Sequence, residues 1–144
     1  MSSLIFPDVN VWLALAAPEH VHAAAARRWW EYETNPIVFS RITQLGLLRL
    51  MTTAAAMDGK PLTMIEAWRV HDRLFDDDRV GFAAEPAEVE ARFRKHTADR
   101  TASHKLWADA WLLAFAQAAH GTLVTFDRAL AARGAHCLLP EPGT

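Results

Sequence analysis

The sequence lacks the features that would place it in several other classes of protein. Its single cysteine, Cys137, cannot form a disulfide within the chain, so the fold does not depend on an oxidising compartment. The net charge is −2, which excludes a globally basic nucleic-acid-binding protein but not a local basic patch. No apolar run is long enough to span a membrane, and Pro7 and Asp8 interrupt the first one, unlike the core of a signal peptide. We therefore expect a soluble, cytoplasmic protein without membrane association.

Short apolar runs alternate with helical patterns along the 144 residues. Strands are predicted at 4–6, 37–39, 80–83, 122–126 and, at an edge of the sheet, around 137–139. The spacing of apolar residues predicts helices at 11–17, 20–32, 41–51, 63–75, 86–95 and 105–119, with a helical turn up to 133. This alternation predicts an α/β fold: a three-layer α/β/α sandwich with a mostly parallel sheet of four to five strands. Residues 1–144 are expected to form one domain.

Two of the predicted helices allow more detailed expectations. In the helix at 41–51, Ile42, Leu45, Leu48 and Met51 recur on one side and are expected to face the core. Ser103 is expected to cap the helix at 105–119. That second helix is apolar nearly all round, which predicts burial on two sides. Its stripe of two tryptophans and two alanines is either ordinary core or the seam of a homodimer.

Three carboxylates fall where a parallel sheet would bring them together. Asp8 follows the first strand and Asp127 follows the fourth, and ligands of α/β proteins gather beyond the carboxyl ends of the strands. Asp109 lies in the first turns of the helix at 105–119, on a side shared with three leucines. Charged residues on apolar faces are rare unless they are paired or bind a metal. Oxygen ligands alone suit Mg²⁺ or Mn²⁺, which can activate water for phosphodiester hydrolysis.

Each of these acids also has a simpler explanation. An aspartate after a strand is often a helix cap or a turn residue, so Asp8 and Asp127 could serve only as caps. Asp109 could be a buried acid paired with an arginine such as Arg49. Periodicity leaves metal binding and these structural roles open, and it does not identify a reaction.

A basic stretch precedes Asp109. Residues 92–105 carry five lysines and arginines against one aspartate. Such a run is usually a solvated helix face and loop. Because this one leads directly to Asp109, it is also a candidate groove for the phosphates of a nucleic acid, with the candidate binding residues Arg94, Lys95, Arg100 and His104.

Four segments of the chain, taken together and in their order, match one known pattern. They are PDVNVWLAL at 7–15, SRITQLGLLRL at 40–50, SHKLWADAWL at 103–112 and LVTFDR at 123–128. In these segments the chain resembles PIN domains, specifically the VapC toxins of bacterial toxin–antitoxin pairs. The resemblance implies a Mg²⁺- or Mn²⁺-dependent endoribonuclease that hydrolyses RNA phosphodiester bonds. It also implies a homodimer that is inhibited by a cognate VapB-type antitoxin.

The same resemblance implies roles for particular residues. It makes Asp8, Asp109 and Asp127 the catalytic and metal-binding acids. The residues expected to support these acids by hydrogen bonds are Asn10, Ser40 and Thr125.

The sequence departs from the family pattern at one acid. Most members carry a glutamate early in the helix after the second strand, where this chain has Gln44, or Gly46 in the alternative alignment. No acid occurs between Glu33 and Asp58. With one negative charge fewer, we expect weaker metal affinity without automatic loss of activity, and we expect Gln44 to position water beside the metal. Glu85, at the end of the third strand, is a candidate substitute.

Two other functions remain consistent with these observations. The missing glutamate could mark a degenerate PIN domain that binds RNA or a protein partner without cleavage. A metal-dependent phosphatase of small phosphomonoesters could also place its acids after parallel strands, although the sequence has no glycine-rich phosphate loop.

Overall fold

Five short strands form one sheet in the computed structural model, which describes residues 3–140. They are β1 Ile5–Pro7, β2 Ile37–Phe39, β3 Val80–Phe82, β4 Thr122–Thr125 and β5 His136–Cys137. Their order across the sheet is β3-β2-β1-β4-β5, and all neighbours run parallel. The first strand of the chain is therefore the central one.

Helices cover both faces of this sheet. Within residues 3–140 they are α1 Val9–Ala16, α2 Ala23–Tyr32, α3 Arg41–Met51, α4 Met64–Leu74, α5 Val89–His96, α6 Leu106–Ala118 and α7 Arg128–Ala132. Ile37 and Phe39 pack with buried residues of α1, α3 and α4, whereas Val38 packs with α5, α6 and α7. This division follows from the alternation of side chains along a strand. The predicted α/β/α architecture with a parallel sheet is confirmed.

The path of the chain reverses between β1 and β4. From β1 the chain continues through β2 to β3 on one side, and β4 and β5 are then added on the other side. At such a reversal a crevice opens beyond the carboxyl ends of the strands, and ligands of open α/β sheets bind there. Asp8 directly follows β1, and Asp127 follows β4 by two residues, so both border this crevice.

Gly121 allows β4 to begin close beside β1. A Cβ atom at this position would lie 2.5 Å from the carbonyl oxygen of Leu4 and 2.6 Å from Cε2 of Phe6. The amide of Thr122 donates to that same carbonyl oxygen at 2.9 Å. The absence of a side chain at residue 121 thus permits the backbone approach that aligns the two central strands.

The expected core face of α3 is wrong at Ile42 and Leu45, although Leu48 packs against the core and Met51 is buried in it. Ile42 and Leu45 are 45% and 50% exposed, whereas Thr43, Gln44, Leu47 and Met51 are buried. The apolar spacing misleads because two polar residues are buried with hydrogen-bond partners. Thr43 belongs to the N-cap of α3, and Gln44 contacts a buried histidine of α4.

The expectations for α6 hold in part. The helix begins at Leu106 with Lys105 at the N-cap and no side-chain cap hydrogen bond, so the predicted capping by Ser103 is wrong. Most of α6 is buried, and the alanines of the predicted stripe belong to the core, but Trp107 remains 57% exposed. No helix within residues 3–140 is both long and apolar enough to cross a membrane.

Candidate active site

Asp8 is a buried carboxylate at the end of the central strand. It is 8% exposed and is the N-cap of α1, where its Oδ1 accepts from the amides of Asn10 at 2.9 Å and Val11 at 3.3 Å. Its other oxygen, Oδ2, accepts from the hydroxyl of Thr125. Both oxygens are thereby fixed in orientation.

Asp127 has the same local design at the end of β4. It is the N-cap of α7, and its Oδ1 accepts from the amides of Ala129 at 2.8 Å and Leu130 at 3.2 Å. The side chain is exposed, and its Oδ2 has no hydrogen-bond partner within the described residues. Asp8 and Asp127 are therefore both helix N-caps, as the simpler explanation expects. This capping leaves one oxygen of Asp127 available for another role.

Thr125 connects these two acids. Its fully buried hydroxyl donates to Oδ2 of Asp8 and accepts from the amide of Asp127 at 2.9 Å. A single side chain therefore links the carboxylate of Asp8 to the backbone of Asp127 across the crevice between β1 and β4.

Asp109 is the third carboxylate of the group. It is half-buried in the first turn of α6 and makes no hydrogen bond with its side chain inside the described part of the chain. Burial raises the pKa of Asp109, and the charges of Asp127 and Asp8 raise it further. The cation that acts on it in the opposite direction is Arg133, and not Arg49.

The pKa of Asp8 is raised as well, chiefly because the carboxyl is buried. Hydrogen bonds from Thr125 and from the amides of Val11 and Asn10 partly offset this effect, and the charge of Asp127 adds to it. A charged Asp8 and a charged Asp109 are thus both costly unless a positive charge compensates them.

The donor chemistry of the three carboxylates fits a hard divalent cation. Aspartate oxygens are the ligands that Mg²⁺ and Mn²⁺ prefer. The pKa values of Asp8 and Asp109 are raised, and a bound cation would stabilise the charged forms of both side chains. Among residues 3–140, no three acidic, histidine or cysteine side chains lie as close together as the ligands of one ion. The three acids would therefore share an ion only after side-chain movement, and no hydrogen bond to a described residue restrains Asp109.

Gln44 has hydrogen-bond partners other than the acids. Its Oε1 accepts from Nη1 of Arg41, and its Nε2 lies 3.3 Å from Nε2 of the buried His71. The other ring nitrogen of His71 lies 2.8 Å from Asp72, so a neutral ring that donates to Asp72 accepts from Gln44. The expected role of Gln44 beside the metal has no contact to support it and stays a prediction.

Neither alternative position for the missing glutamate supplies a further acid in contact with the three aspartates among the described residues. A Cβ on Gly46 would come 2.6 Å from Cγ2 of Val9, so a glutamate there would displace the residue that follows Asp8. Glu85 lies beyond β3, where it lines a pocket with Arg41. The candidate site thus consists of the three aspartates.

The other residues expected to support the acids have mainly local roles. Ser40 and Thr43 form a capping box at the start of α3. Asn10 donates to Asp8 through its backbone, and its exposed side chain makes no hydrogen bond among the described residues. Only Thr125 contacts an acid through its side chain.

The candidate phosphate-binding residues of the basic stretch make no hydrogen bond or ion pair with the three acids within residues 3–140. Arg94 pairs with Glu90 at 3.1 Å on an exposed face of α5. Lys95, Arg100 and His104 are exposed, and their side chains make no hydrogen bond within residues 3–140. Their expected role in binding phosphates stays a prediction.

Arg133 is a cation near the acids that sequence reasoning missed. It is the C-cap of α7, and its Nη2 donates to the carbonyl oxygen of His96 at 3.0 Å. The sequence could have indicated Arg133, because it lies six residues after Asp127, at the far end of a short helix. Arg41 was missed too, although it directly follows Ser40 at the carboxyl end of β2.

Comparison with known proteins gives a consistent result. The family model of the PIN domain matches residues 5–135. Ribonuclease VapC41 of two Mycobacterium tuberculosis strains is 41% identical over 137 residues, which are 91% of this chain and 94% of the relative. Ribonuclease VapC39 of the same organism is 32% identical over 126 residues, or 86% of this chain and 88% of the relative.

A solved structure shares the fold. The crystal structure of Mycobacterium tuberculosis VapC20, described as a toxin that cleaves the sarcin–ricin loop, superposes with a TM-score of 0.66. The match covers 91% of this chain and 95% of that one at 15% sequence identity. At this identity the likeness concerns the fold alone.

Proposed function

The chain belongs to the PIN domain family, and from this premise we propose how its residues act in RNA cleavage. Its identity to two VapC ribonucleases over most of its length makes it an endoribonuclease toxin of the VapC type. Such a toxin has RNA as its substrate and a VapB-type antitoxin as its inhibitory partner. We propose further that it acts in the cytoplasm as a homodimer.

Asp8, Asp109 and Asp127 would hold Mg²⁺ or Mn²⁺. When bound, such a cation supplies Lewis-acid activation of water and neutralises charge on the phosphate. The observation that supports this proposal most directly is the hydrogen bonding of Thr125 to both Asp8 and Asp127, with Asp109 close enough to be affected by both charges.

The remaining residues of the site orient these groups. The two helix caps and Thr125 restrict the movement of Asp8 and Asp127, so the movement needed to share one ion would fall mainly on Asp109. Arg133 adds a positive charge beside Asp109, where a phosphate of the substrate would otherwise meet only carboxylates. Its guanidinium suits bidentate contact with phosphate oxygens.

The proposal is tested by incubating purified protein with total bacterial RNA in Mg²⁺, in Mn²⁺ and in EDTA. We expect cleavage with at least one metal and none in EDTA. Thermal melting gives a second readout, because a cation that binds only the folded state raises the melting temperature. Binding of RNA without cleavage under both metals would favour the degenerate PIN domain. Hydrolysis of a generic phosphomonoester without RNA cleavage would favour the phosphatase.

Arg133→Gln should weaken the binding of single-stranded RNA. The substitution removes one positive charge beside the acids, so the slope of log K against log salt concentration should become shallower by about 0.7. Affinity measured by fluorescence anisotropy in EDTA at several salt concentrations checks this. The loss should be similar for RNAs of different sequence, because phosphate contacts carry no sequence information.

Arg94→Gln is the matched control for this prediction. Arg94 is paired with Glu90 on α5, and its guanidinium is 77% exposed. We expect a smaller change in slope for Arg94→Gln than for Arg133→Gln. A larger change in slope for Arg94→Gln than for Arg133→Gln would assign phosphate binding to the basic stretch and not to Arg133.

A further inference from the structure

A pocket of about 350 Å³ opens beyond the carboxyl ends of β2 and β3. Its lining includes Arg41, Ile42, Phe82, Glu85, Trp111 and Phe115. This volume is within the range of about 300–1,000 Å³ that is usual for small-molecule sites. α6 contributes Trp111 to the pocket and Asp109 to the acidic site, two positions apart on one helix. The pocket and the acids both lie beyond the carboxyl ends of strands in one parallel sheet, and therefore at the same edge of that sheet.

Two planar groups are stacked in the lining of this pocket. The guanidinium carbon of Arg41 lies 4.6 Å from the centre of the Phe82 ring. Phe82 is 43% exposed although it is a large apolar residue, and Arg41 is exposed as well. The pair thus offers solvent an aromatic plane and a cationic plane together. Proteins bind unstacked bases of single-stranded RNA with this combination.

Gln44 explains why Arg41 is held in place. Its Oε1 accepts from Arg41, and its Nε2 meets the ring of His71, which is bonded in turn to Asp72. Gln44 and His71 are 8% and 5% exposed, so this chain of hydrogen bonds passes through the core. A glutamine that supplies both an acceptor and a donor fits this position. The residue that departs from the family pattern thereby orients a surface arginine.

The charge of the pocket favours a base over a phosphate. Its walls are mainly aromatic and apolar, and Glu85 adds a carboxylate that would repel an anion. A nucleobase is flat and uncharged, and its phosphate would stay outside, within reach of Arg41. The ladder places β3 two strands from β1, about 10 Å away, so the pocket is near the acids without overlapping them.

We infer that the pocket formed by Arg41, Phe82 and Trp111 binds an unstacked nucleobase of the RNA substrate next to the cleavage site. This inference rests on the proposed function and deepens it, because it names a place where a base, and not only the phosphate backbone, is bound. Phe82 supplies the stacking surface, and Arg41 extends it and contacts the adjoining phosphate.

The test measures the affinity of the whole chain for a fluorescein-labelled 12-nucleotide oligoadenylate in EDTA at several salt concentrations. For Phe82→Ala we expect affinity to fall about 5- to 160-fold, the effect of losing one base stack. The salt slope should not change, because no charge is removed. For Arg41→Gln we expect both a lower affinity and a slope shallower by about 0.7.

Two further variants separate stacking from damage to the fold. Phe82→Trp retains an aromatic plane and should bind as tightly as the wild type. Leu45→Ala removes an apolar side chain of similar exposure that does not line the pocket, and it should have no effect. Wild-type affinity in Phe82→Ala would overturn the inference. So would a loss of affinity that accompanies dissociation of a dimer in light scattering, because this face would then be a contact between copies of the chain.

The inference and the proposed function can fail separately. If the wild type cleaves RNA while Phe82→Ala binds normally, the function stands and the base pocket does not. If the wild type fails to cleave RNA in either metal while Phe82→Ala still weakens binding, the inference about the pocket holds, and the protein binds RNA without cleaving it.

Discussion

Asp109→Asn should abolish RNA cleavage and, in the absence of metal, stabilise the protein at neutral pH. The loss of activity should exceed about 100-fold, because even residues that only support metal ligands typically cost about 10- to 100-fold when removed. The gain in stability follows from the same position. Burial and two neighbouring carboxylates raise the pKa of Asp109, so its charged form destabilises the folded state, and asparagine removes that charge.

The gain should depend on pH in a defined direction. Because the pKa of Asp109 is raised above 3.8 in the folded protein, the folded state binds this proton more tightly than the unfolded state. The cost of the charge is therefore fully present above the folded pKa, and it disappears as pH falls to 3.8 and below. The difference in melting temperature between Asp109→Asn and wild type should widen as pH rises from about 4. Melting curves in EDTA between pH 4 and pH 8 measure it.

Asp99→Asn is the matched control with the opposite expectation. Hydrogen bonds from Thr101 lower the pKa of Asp99, so its charged form favours the folded state. At neutral pH this variant should be no more stable than the wild type, and it should retain cleavage. Adding Mn²⁺ should raise the melting temperature of the wild type and of Asp99→Asn more than that of Asp109→Asn. An Asp109→Asn variant that is destabilised at pH 7 would contradict this account of the site.

Thr125→Val should lower both the stability of the protein and its rate of cleavage, although it leaves the shape of the side chain unchanged. The buried Oδ2 of Asp8 would lose its donor, and the amide of Asp127 would lose its acceptor. Loss of a hydrogen bond to a charged group costs about 1.5–3 kcal/mol of stability. Cleavage should also fall about 10- to 100-fold, since the two acids would no longer share a fixed support. Urea unfolding and initial cleavage rates measure the two effects.

Thr125→Ser separates the hydroxyl from the methyl group. Serine keeps the donor and the acceptor but leaves a small cavity, so it should lose some stability while keeping most of the cleavage rate. If the valine variant cleaves as fast as the serine variant, the hydrogen bonds of Thr125 do not matter for the reaction. The supporting role of Thr125 would then be withdrawn, and Asp8 would depend on its helix cap alone.

The positions of the acids were predictable because they depend on local sequence and on a general rule of topology. Asp8 and Asp127 each stand between an apolar run and a helix, which marks the carboxyl end of a strand in this fold class. Asp109 was found because it interrupts an apolar stripe on a helix. The alternative that Asp8 and Asp127 are caps proved compatible with the acidic site, because a cap here uses one carboxylate oxygen and leaves the other.

The surroundings of Gln44 were not predictable in the same way. Its burial depends on a hydrogen bond with His71, which is 27 residues away in the sequence. No local sequence pattern predicts such a pair. The same contact explains why apolar spacing gave the wrong core face for α3, where Ile42 and Leu45 turned out to be exposed. Periodicity assumes that polar side chains avoid the core, and that assumption fails when a buried polar residue has partners.

The strand order has a consequence for the synthesis of the protein. Asp8 and Thr125 are 117 residues apart, and β1 meets β4 over the same interval. A ribosome adds about 5–20 residues per second, so β4 is synthesised about 6–23 s after β1. During that time only β2 can pair with β1, and the crevice between the central strands does not exist. A nascent chain therefore has no assembled acidic site with which to cut RNA until β4 has been synthesised.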